Sequence, residues 1–417
     1  MAERLTAADW YVGATRGDRV RDAIARKGLD VLLALTPENA HYLAGYGNYI
    51  ATHWRLAGIF SVAVGPSGER IGVSGDFGAD PAIAPPFPHL RYRSWTESID
   101  VRGASGASIQ ERVRAARPGG PLARPVQFDL DEVFDRVAEA VHAAHPRPHR
   151  VGVDLQEVEA PAVQRLKERL PAVKLVDATA VFNDLRAIKD PDEIDHLYLA
   201  GELTEGGIAG AIARLRPGMT EVAVNSAYEI AVHERLLADA RYAGFRQAEG
   251  LATIGIGAST PKIVAPGQTI KFDMQVDVAG YHSDVGRTVA FAPTADQREV
   301  YAALRNALAA AQERVRPGVP FAAVYDAGIA SMRSAGFSNY SRGHLGHSVG
   351  LTQHFEEPPF VAAGESREIV PEMVLSLELP YYVYGVGAFQ LERILLVTSD
   401  GHEAIDRLPF ELELPPR

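Results

Sequence analysis

The chain has 417 residues and a hydrophobic content of 47%. A single hydrophobic core rarely serves more than about 250 to 300 residues, so we expect at least two domains. Acidic residues outnumber basic ones by 53 to 42, and no Lys/Arg-rich block is present, which argues against nucleic acid as a partner. Cysteine is absent, which excludes disulfides, thiolate catalysis and Cys-based metal sites. Any metal must therefore bind carboxylates and histidines.

No targeting or membrane segment is evident. The N-terminal residues lack a basic stretch followed by an apolar one, so no signal peptide is predicted. Apolar runs such as residues 58–64 are far shorter than the roughly 20 residues that cross a bilayer. We therefore expect a cytoplasmic protein without a membrane partner.

The first 180 residues alternate short apolar runs with helical patterns, which is typical of an α/β domain. Strands are predicted at 31–35, 59–64, 151–154 and 173–176, and a helix near 160–170. Residues 104–124 are rich in Gly, Ala, Arg and Pro and indicate a loop with a short helix. We expect the first domain to span residues 1–180.

A second domain, residues 181–417, is predicted because Asp190-Pro191 is a strong helix start, with a capping Asp before a first-turn proline. Within it, Arg-Pro-Gly recurs at 216–218 and 316–318, each time between two helical stretches. This recurrence indicates a duplicated half-domain. Coincidence is the alternative, since Arg-Pro-Gly is a common helix stop.

Each half then carries strand-like segments, at 269–278 and 283–291 in the first and at 373–379 and 389–398 in the second. Asp273 and Asp284 are separated by a predicted turn at 279–281 and are expected to face each other across a hairpin. Such carboxylates repel unless a cation lies between them. The alternative is that Asp284 pairs with Arg287.

Glu378 and Glu392 each interrupt an apolar run that is otherwise suited to a buried strand. A buried carboxylate is costly unless it is paired or metal-bound; the alternative is a strand edge where the side chain faces solvent. Three histidines, His344, His347 and His354, lie within eleven residues among glycines, which favours a site over structural roles. The sequence thus predicts a dinuclear metal site formed by Asp273, Asp284, His347, Glu378 and Glu392.

These residues lie in motifs that resemble those of the pita-bread metallopeptidases, which include methionine aminopeptidase, aminopeptidase P, prolidase and creatinase. The motifs are Asp273 and Asp284 followed by Arg287-Thr288, then Gly346-His347-Ser-Val-Gly-Leu351, Ser376-Leu-Glu378 and Leu391-Glu392. Residues 37–45 also resemble a stretch in the N-terminal domain of the prolidase and creatinase branch. The resemblance implies an α/β (α+β) protein with a creatinase-like N-terminal domain and a pseudo-two-fold pita-bread domain.

By this resemblance, Asp284 and Glu392 would bridge two divalent ions, Asp273 would complete one site, and His347 and Glu378 the other. Glu378 would shuttle protons, His354 would contact the substrate near the scissile group, and His344 would bind near the leaving group. Manganese is the preferred ion, with cobalt, zinc or iron as alternatives.

The sequence departs from the family at several positions. Lys262 lies near the place of a usual histidine; it either stabilises an oxyanion or binds a substrate carboxylate, or it is an exposed loop residue. Gln390 stands where an arginine is usual, and Gln275 and Gly286 replace a usual glycine and threonine. In creatinase-like dimers the N-terminal domain reaches the partner's cleft, which makes Arg55 a further candidate, with an exposed Arg/Trp loop as the alternative.

The predicted function is dinuclear metal-dependent hydrolysis of Xaa-Pro dipeptides or short peptides, by a homodimer of the dipeptidase or aminopeptidase type. One alternative keeps the metals but cleaves a small non-peptide C–N bond, as creatinase and ectoine hydrolase do on this fold. The other alternative is a catalytically silent binding module. Five intact ligand positions argue against the silent module.

Overall fold

The computed structural model describes residues 10, 15–77, 86–120, 122–256, 262–352 and 356–415. The chain divides into two compact units, one spanning Tyr11–Phe182 and the other containing Trp10 and Asn183–Arg417. Trp10 belongs to the second unit because its indole is buried in that unit's core and donates a hydrogen bond of 2.9 Å to the carbonyl of Glu368. The first residue of the described chain therefore packs with its C-terminal part.

The N-terminal unit is a mixed sheet with helices. Its sheet has the strand order β4-β3-β2-β1-β5-β6, in which β1 pairs parallel with β5 and antiparallel with β2. In chain order the elements are α1 (Arg16–Lys27), β1 (Val31–Ala34), α2 (Pro37–Ala44), α3 (Tyr49–Trp54), β2 (Phe60–Val64), β3 (Arg70–Gly75), β4 (His89–Tyr92), α4 (Ile109–Ala116), α5 (Leu130–Ala144), β5 (Arg150–Val153), α6 (Ala160–Arg169) and β6 (Lys174–Asp177).

A buried carboxylate joins two central strands of this sheet. Asp154 follows β5, is fully buried, and accepts hydrogen bonds from the backbone N–H groups of Leu35 and Thr36, both at 3.0 Å. It also accepts from the Thr36 hydroxyl at 2.7 Å and from the Asn39 amide at 2.9 Å. The carboxylate thereby satisfies backbone groups that have no partner in the sheet where the chain leaves β1 for α2.

Replacing Asp154 by Ala is expected to lower the free energy of unfolding of the N-terminal unit by about 2–4 kcal/mol, because buried donors lose a charged acceptor. Urea denaturation followed by tryptophan fluorescence measures this, since Trp54 and Trp95 both lie in that unit. Glu168→Ala, an exposed change on α6, is the control and should leave the transition unchanged. Equal unfolding transitions for Asp154→Ala and Glu168→Ala would contradict the stabilising role of Asp154.

The second unit follows α7 (Thr179–Ala187), the helix in which the division falls. Its elements are α8 (Pro191–Arg214), α9 (Glu221–Ala238), β7 (Phe245–Gly250), β8 (Thr253–Ile254), β9 (Thr269–Val278), β10 (Tyr281–His282), β11 (Val285–Phe291), α10 (Ala295–Gln312), α11 (Phe321–Ser334), β12 (Gly346–Ser348), β13 (Val374–Glu378), β14 (Tyr381–Val383), β15 (Gly387–Phe389), β16 (Glu392–Val397), β17 (His402–Ala404) and β18 (Glu413–Leu414). One sheet has the core order β10-β9-β11-β18, with β7 and β8 also pairing with β9, and another has the order β12-β13-β16-β17.

The two halves of this unit repeat one local arrangement. In each, a helix ends before Arg-Pro-Gly and a second helix follows, giving the pairs α8–α9 and α10–α11. Gly218 and Gly318 both adopt a left-handed backbone, with φ of 90° and 79°. Each donates its N–H to a distant loop, to the carbonyl of Val264 at 2.8 Å and of Ile369 at 2.9 Å respectively. This equivalence supports the predicted duplication over coincidence.

The predicted helix start at Asp190 is present, with Asp190 and Glu193 forming a reciprocal capping box at α8. The predicted short helix within 104–124 is α4. One boundary differs from the prediction: the last ligand strand does not run unbroken from residue 389, because β15 ends at Phe389 and β16 begins at Glu392. No described helix is long and apolar enough to span a membrane.

Candidate metal centre

The first pair of predicted ligands lies on the β9–β11 hairpin. The turn between β9 and β10 uses positive φ at Ala279 (57°) and Gly280 (96°), and it sets a register in which Asp273 faces Gly286. Asp284 lies two residues before Gly286 and is therefore a diagonal neighbour of Asp273 on the same face. The two carboxylates are near each other, but they are not directly opposed as the sequence led us to expect.

The second pair lies on β13 and β16, where Glu378 and Glu392 are directly paired across the strands. Both side chains are buried, with residue exposures of 6% and 1%. The Ser376 hydroxyl donates a hydrogen bond to Glu392 Oε1 at 2.8 Å. Neither glutamate faces solvent, so the alternative of an exposed strand edge is wrong.

His347 lies on β12 and is oriented by its own backbone. Its Nδ1 donates to the carbonyl of Ser348 at 2.9 Å, which leaves Nε2 facing Asp284 Oδ2 at 3.4 Å. Donor atoms of Asp284, His347 and Glu392 all lie within 4.8 Å of one another. We call these three residues the inner ligand group. A histidine fixed through one ring nitrogen presents the other as a metal ligand.

The electrostatics of the inner ligand group favour a cation. Enclosure by the protein, with Asp273 and Glu378 nearby, raises the pKa of Asp284 to about 6, although His347 opposes this shift and 30% of the side chain remains exposed. Burial and the neighbouring carboxylates raise the pKa of Glu392 well above its usual range. Burial lowers the pKa of His347, but the Asp284 carboxylate outweighs it and raises that pKa to about 9. The group therefore attracts positive charge.

Asp273 has a different partner. Lys271 precedes it by two residues on β9, so both side chains lie on one face of the strand. The Lys271 Nζ is 2.9 Å from Asp273 Oδ2, and the lysine side chain is only 6% exposed. Asp273 is not part of the inner ligand group found among the described residues. Its carboxylate is held by an ammonium group of the same strand.

Glu378 is surrounded by donors. Arg342 Nη2 lies 3.0 Å from Oε1, and Gln390 Nε2 donates to Oε2 at 3.0 Å. His344 lies between two carboxylates, with Nε2 2.9 Å from Glu356 Oε2 and Nδ1 3.5 Å from Glu378 Oε1. His344, Glu356 and Glu378 also form a second group of close donor atoms. Two predicted ligand carboxylates are outside the inner ligand group, those of Asp273 and Glu378. Lys271 neutralises Asp273, and Arg342 neutralises Glu378.

A cavity of about 230 Å³ opens beside these residues. Asp273, Asp284 and His347 line it, together with His282 and Glu356 among others. The donor set of carboxylate and imidazole groups fits a divalent first-row metal at the inner ligand group. It does not fit a second ion on Asp273 equally well, because an ammonium already occupies that carboxylate.

The remaining predicted site residues are distributed as follows. Lys262 is only 17% exposed and pairs with Glu221 at 3.3 Å, at the start of α9, so it is not an exposed loop residue. Glu221 belongs to neither ligand group, and Lys262 is not among the described residues that line the cavity, so the structure does not bring this lysine to the centre. Arg55 lies in the N-terminal unit and pairs with Glu38 at 2.6 Å. His354 lies outside the described residues.

The expected alternative for Asp284, a pair with Arg287, is wrong. Arg287 is fully buried, forms its ion pair with Asp406, and donates to the carbonyl oxygen of Glu392. It thereby fixes the backbone of the β16 ligand. Asp406 is remote in sequence and carried no signal, so only the packing of the chain after β17 shows this role.

Sequence reasoning missed Lys271, Arg342 and Glu356. Lys271 did carry a signal, because a residue two positions before a strand ligand shares its face. Arg342 opens the same histidine motif that contains His344, yet it is 36 residues from the glutamate that it contacts. That contact depends on the tertiary structure.

Two of the departures from the family pattern are coupled. Gly286 faces Asp273 across the hairpin, and a Cβ atom added to it would lie 2.4 Å from Gln390 Cγ and 2.8 Å from Glu392 Oε2. The glycine therefore makes room for the glutamine, which reaches both Glu378 and, at 3.4 Å, Glu392. Gln390 Oε1 has no hydrogen-bond partner within the described part of the chain, so the amide keeps one acceptor unused.

Gly286→Ala is expected to weaken Mn²⁺ binding by about 10-fold, because the new methyl group displaces Gln390 and the Glu392 carboxylate. Isothermal titration calorimetry on Gly286→Ala, Gln390→Ala and the double variant measures the coupling. Gly286→Ala should reduce the Mn²⁺ affinity less in the Gln390→Ala background, because alanine has no Cγ atom for the new methyl group to displace. Strictly additive losses would show that the two positions act independently.

Comparison with known proteins agrees with this geometry. Residues 195–399 match the model of metallopeptidase family M24, and residues 105–188 match the creatinase/prolidase N-terminal domain. The chain is 25% identical over 293 residues to an Xaa-Pro dipeptidase of Lactobacillus helveticus, covering 69% of this chain and 79% of that protein.

Solved structures show the same fold. The chain superposes on an Xaa-Pro dipeptidase from Bacillus anthracis with a TM-score of 0.74 and 19% identity, covering 96% of this chain and 99% of that one. For the prolidase from Pyrococcus horikoshii the TM-score is 0.72 with 17% identity, over 95% and 99% of the two chains. The chain belongs to the pita-bread metallopeptidases of family M24, with a creatinase/prolidase N-terminal domain. It is an enzyme of the metallohydrolase class, and the predicted family and fold are confirmed.

Proposed function

We propose that this enzyme hydrolyses Xaa-Pro dipeptides, using a divalent metal held by the inner ligand group. The observation that carries the proposal is the convergence of Asp284, His347 and Glu392 donor atoms within 4.8 Å. A divalent ion bound there would lower the pKa of water and polarise the scissile carbonyl. Manganese is the proposed ion, because carboxylate-rich donor sets suit it.

The size of the cavity supports a short substrate. Its volume of about 230 Å³ is below the usual range of about 300–1,000 Å³ for ligand pockets. A dipeptide suits this volume better than a longer peptide. The Lactobacillus helveticus relative is itself named an Xaa-Pro dipeptidase. We therefore place dipeptides with a C-terminal proline first among the substrates.

Glu378 is the proposed proton carrier. Arg342 and Gln390 each hold one of its carboxylate oxygens, so the carboxylate is oriented. In this position it would accept a proton from the attacking water and return it to the leaving nitrogen. His344 lies between Glu378 and Glu356, and from this position it would bind the leaving group. His354 remains a proposed substrate contact.

A homodimer is also proposed, with Arg55 of each copy reaching the substrate of the other. Among the described residues, Arg55 pairs with Glu38, which orients the guanidinium. Sedimentation velocity tests the dimer. An Arg55→Ala variant that stays dimeric but has an unchanged KM would contradict the role of Arg55.

The substrate proposal is tested with protein stripped by chelator and reloaded with Mn²⁺, Co²⁺ or Zn²⁺. We expect hydrolysis of Ala-Pro and Leu-Pro that requires added metal and is faster than hydrolysis of Ala-Pro-Ala. Ala-Ala serves as the matched dipeptide without proline. A metal-loaded enzyme that is inactive on every peptide would contradict the proposal, and cyclic amides and amidines would then be assayed.

Glu378→Gln is expected to lower kcat by about 100-fold or more, because the amide cannot carry the proton. Circular dichroism and metal content establish that the variant is folded and loaded. Glu356→Gln removes a nearby carboxylate from the cavity and should lower kcat much less. A Glu378→Gln variant with normal kcat would show that another group carries the proton.

A further inference from the structure

Lys271 occupies an unusual position for a cation in a metal centre. It lies on β9 with its side chain 6% exposed, and its Nζ is 2.9 Å from a carboxylate oxygen of Asp273. The Lys271 ammonium also lies over the ring of Tyr382, with the centroid 5.8 Å from Nζ. The lysine is therefore confined next to the carboxylate that was predicted to bind one of two metal ions.

An ammonium and a metal ion compete for this carboxylate. Metal–carboxylate bonds are about 2.0–2.2 Å long, so an ion on Asp273 Oδ2 would lie about 4 Å from the Lys271 nitrogen. Both are positive, and the buried lysine side chain has little room to withdraw. A second ion at Asp273 would thus compete with the Lys271 ammonium for Oδ2, and the positive charge of Lys271 would repel it.

The charges of the centre match a single divalent ion. Four carboxylates of the predicted ligand set meet here, those of Asp273, Asp284, Glu378 and Glu392. A fifth, Glu356, lies 2.9 Å from His344 Nε2. Lys271 offsets Asp273 at 2.9 Å, and Arg342 offsets Glu378 at 3.0 Å. Asp284 and Glu392 remain, and they are the two carboxylates of the inner ligand group. One dication balances their two negative charges, with neutral His347 as the third ligand.

We propose that this enzyme is a single-metal member of its family, in which the Lys271 ammonium takes the place of a second ion at Asp273. The inference rests on the proposed metal-dependent function, and it sets the number of ions at one where the sequence predicted two. The metal would be bound by Asp284, His347 and Glu392. Lys271 is a positioning residue, because it holds Asp273, which lines the cavity but is outside the inner ligand group.

The test is metal stoichiometry of the full chain, by elemental analysis and calorimetry with Mn²⁺ and Co²⁺. We expect about one ion per chain in the unchanged protein and about two in Lys271→Met, where the apolar side chain frees Asp273 for a second ion. Electron paramagnetic resonance gives a separate readout, since Mn²⁺ should be isolated in the unchanged protein and exchange-coupled in Lys271→Met.

Two controls separate charge from packing. Lys271→Arg keeps the cation and should still bind about one ion. Lys262→Met removes another largely buried lysine, whose partner Glu221 is outside both ligand groups, and should also leave the count at about one ion.

Asp273→Asn gives an answer that does not depend on the folding of Lys271→Met. In a single-metal centre this change leaves the ion count unaltered, whereas in a two-metal centre it removes an ion. Asp284→Asn should abolish binding in either case.

Two ions in the unchanged protein, or a count that stays at one in folded Lys271→Met, would overturn the single-metal inference alone. No ion in the unchanged protein would overturn the proposed function itself.

Discussion

Four carboxylates that cannot coexist without positive charge define the centre of the second unit. Asp284 and Glu392 are the two acids whose pKa values burial and neighbouring carboxylates raise, to about 6 for Asp284 and well above the usual range for Glu392. Their neighbours Asp273 and Glu378 are each offset by a cation of the chain itself. The arrangement of strands, turns and hydrogen bonds around the centre serves to hold this charge pattern in place.

The rigid elements that hold the ligands explain why the pattern is stable. Asp273 and Asp284 lie on one hairpin, whereas Glu378 and Glu392 face each other on two strands of a second sheet. The two sheets are joined at this point, because the Thr288 hydroxyl accepts from the backbone of Gln390 at 2.8 Å. Arg287 completes the seam through Asp406 and the Glu392 carbonyl. A shift of one strand would therefore move ligands from both halves.

The same geometry separates the general chemistry of the family from what distinguishes this chain. The inner ligand group and the oriented Glu378 are the parts that we propose for metal-assisted hydrolysis. Lys271, Gly286 and Gln390 surround those parts and alter their charge and shape. Gln390 fits because Gly286 has no side chain, and Lys271 fits because Asp273 supplies its counter-charge. Gly286 and Gln390, two departures from the family pattern, thus compensate each other locally.

The sequence by itself determined the family, the two-part fold and the strands that carry the predicted ligands, because motif spacing and the positions of carboxylates in apolar runs are local properties. It did not determine which cation meets which carboxylate. Lys262, Lys271, Arg287 and Arg342 were all available, and only the tertiary structure pairs them with Glu221, Asp273, Asp406 and Glu378 respectively. Ion pairs between distant residues depend on strand register and on the packing of one sheet against another, which no local pattern encodes.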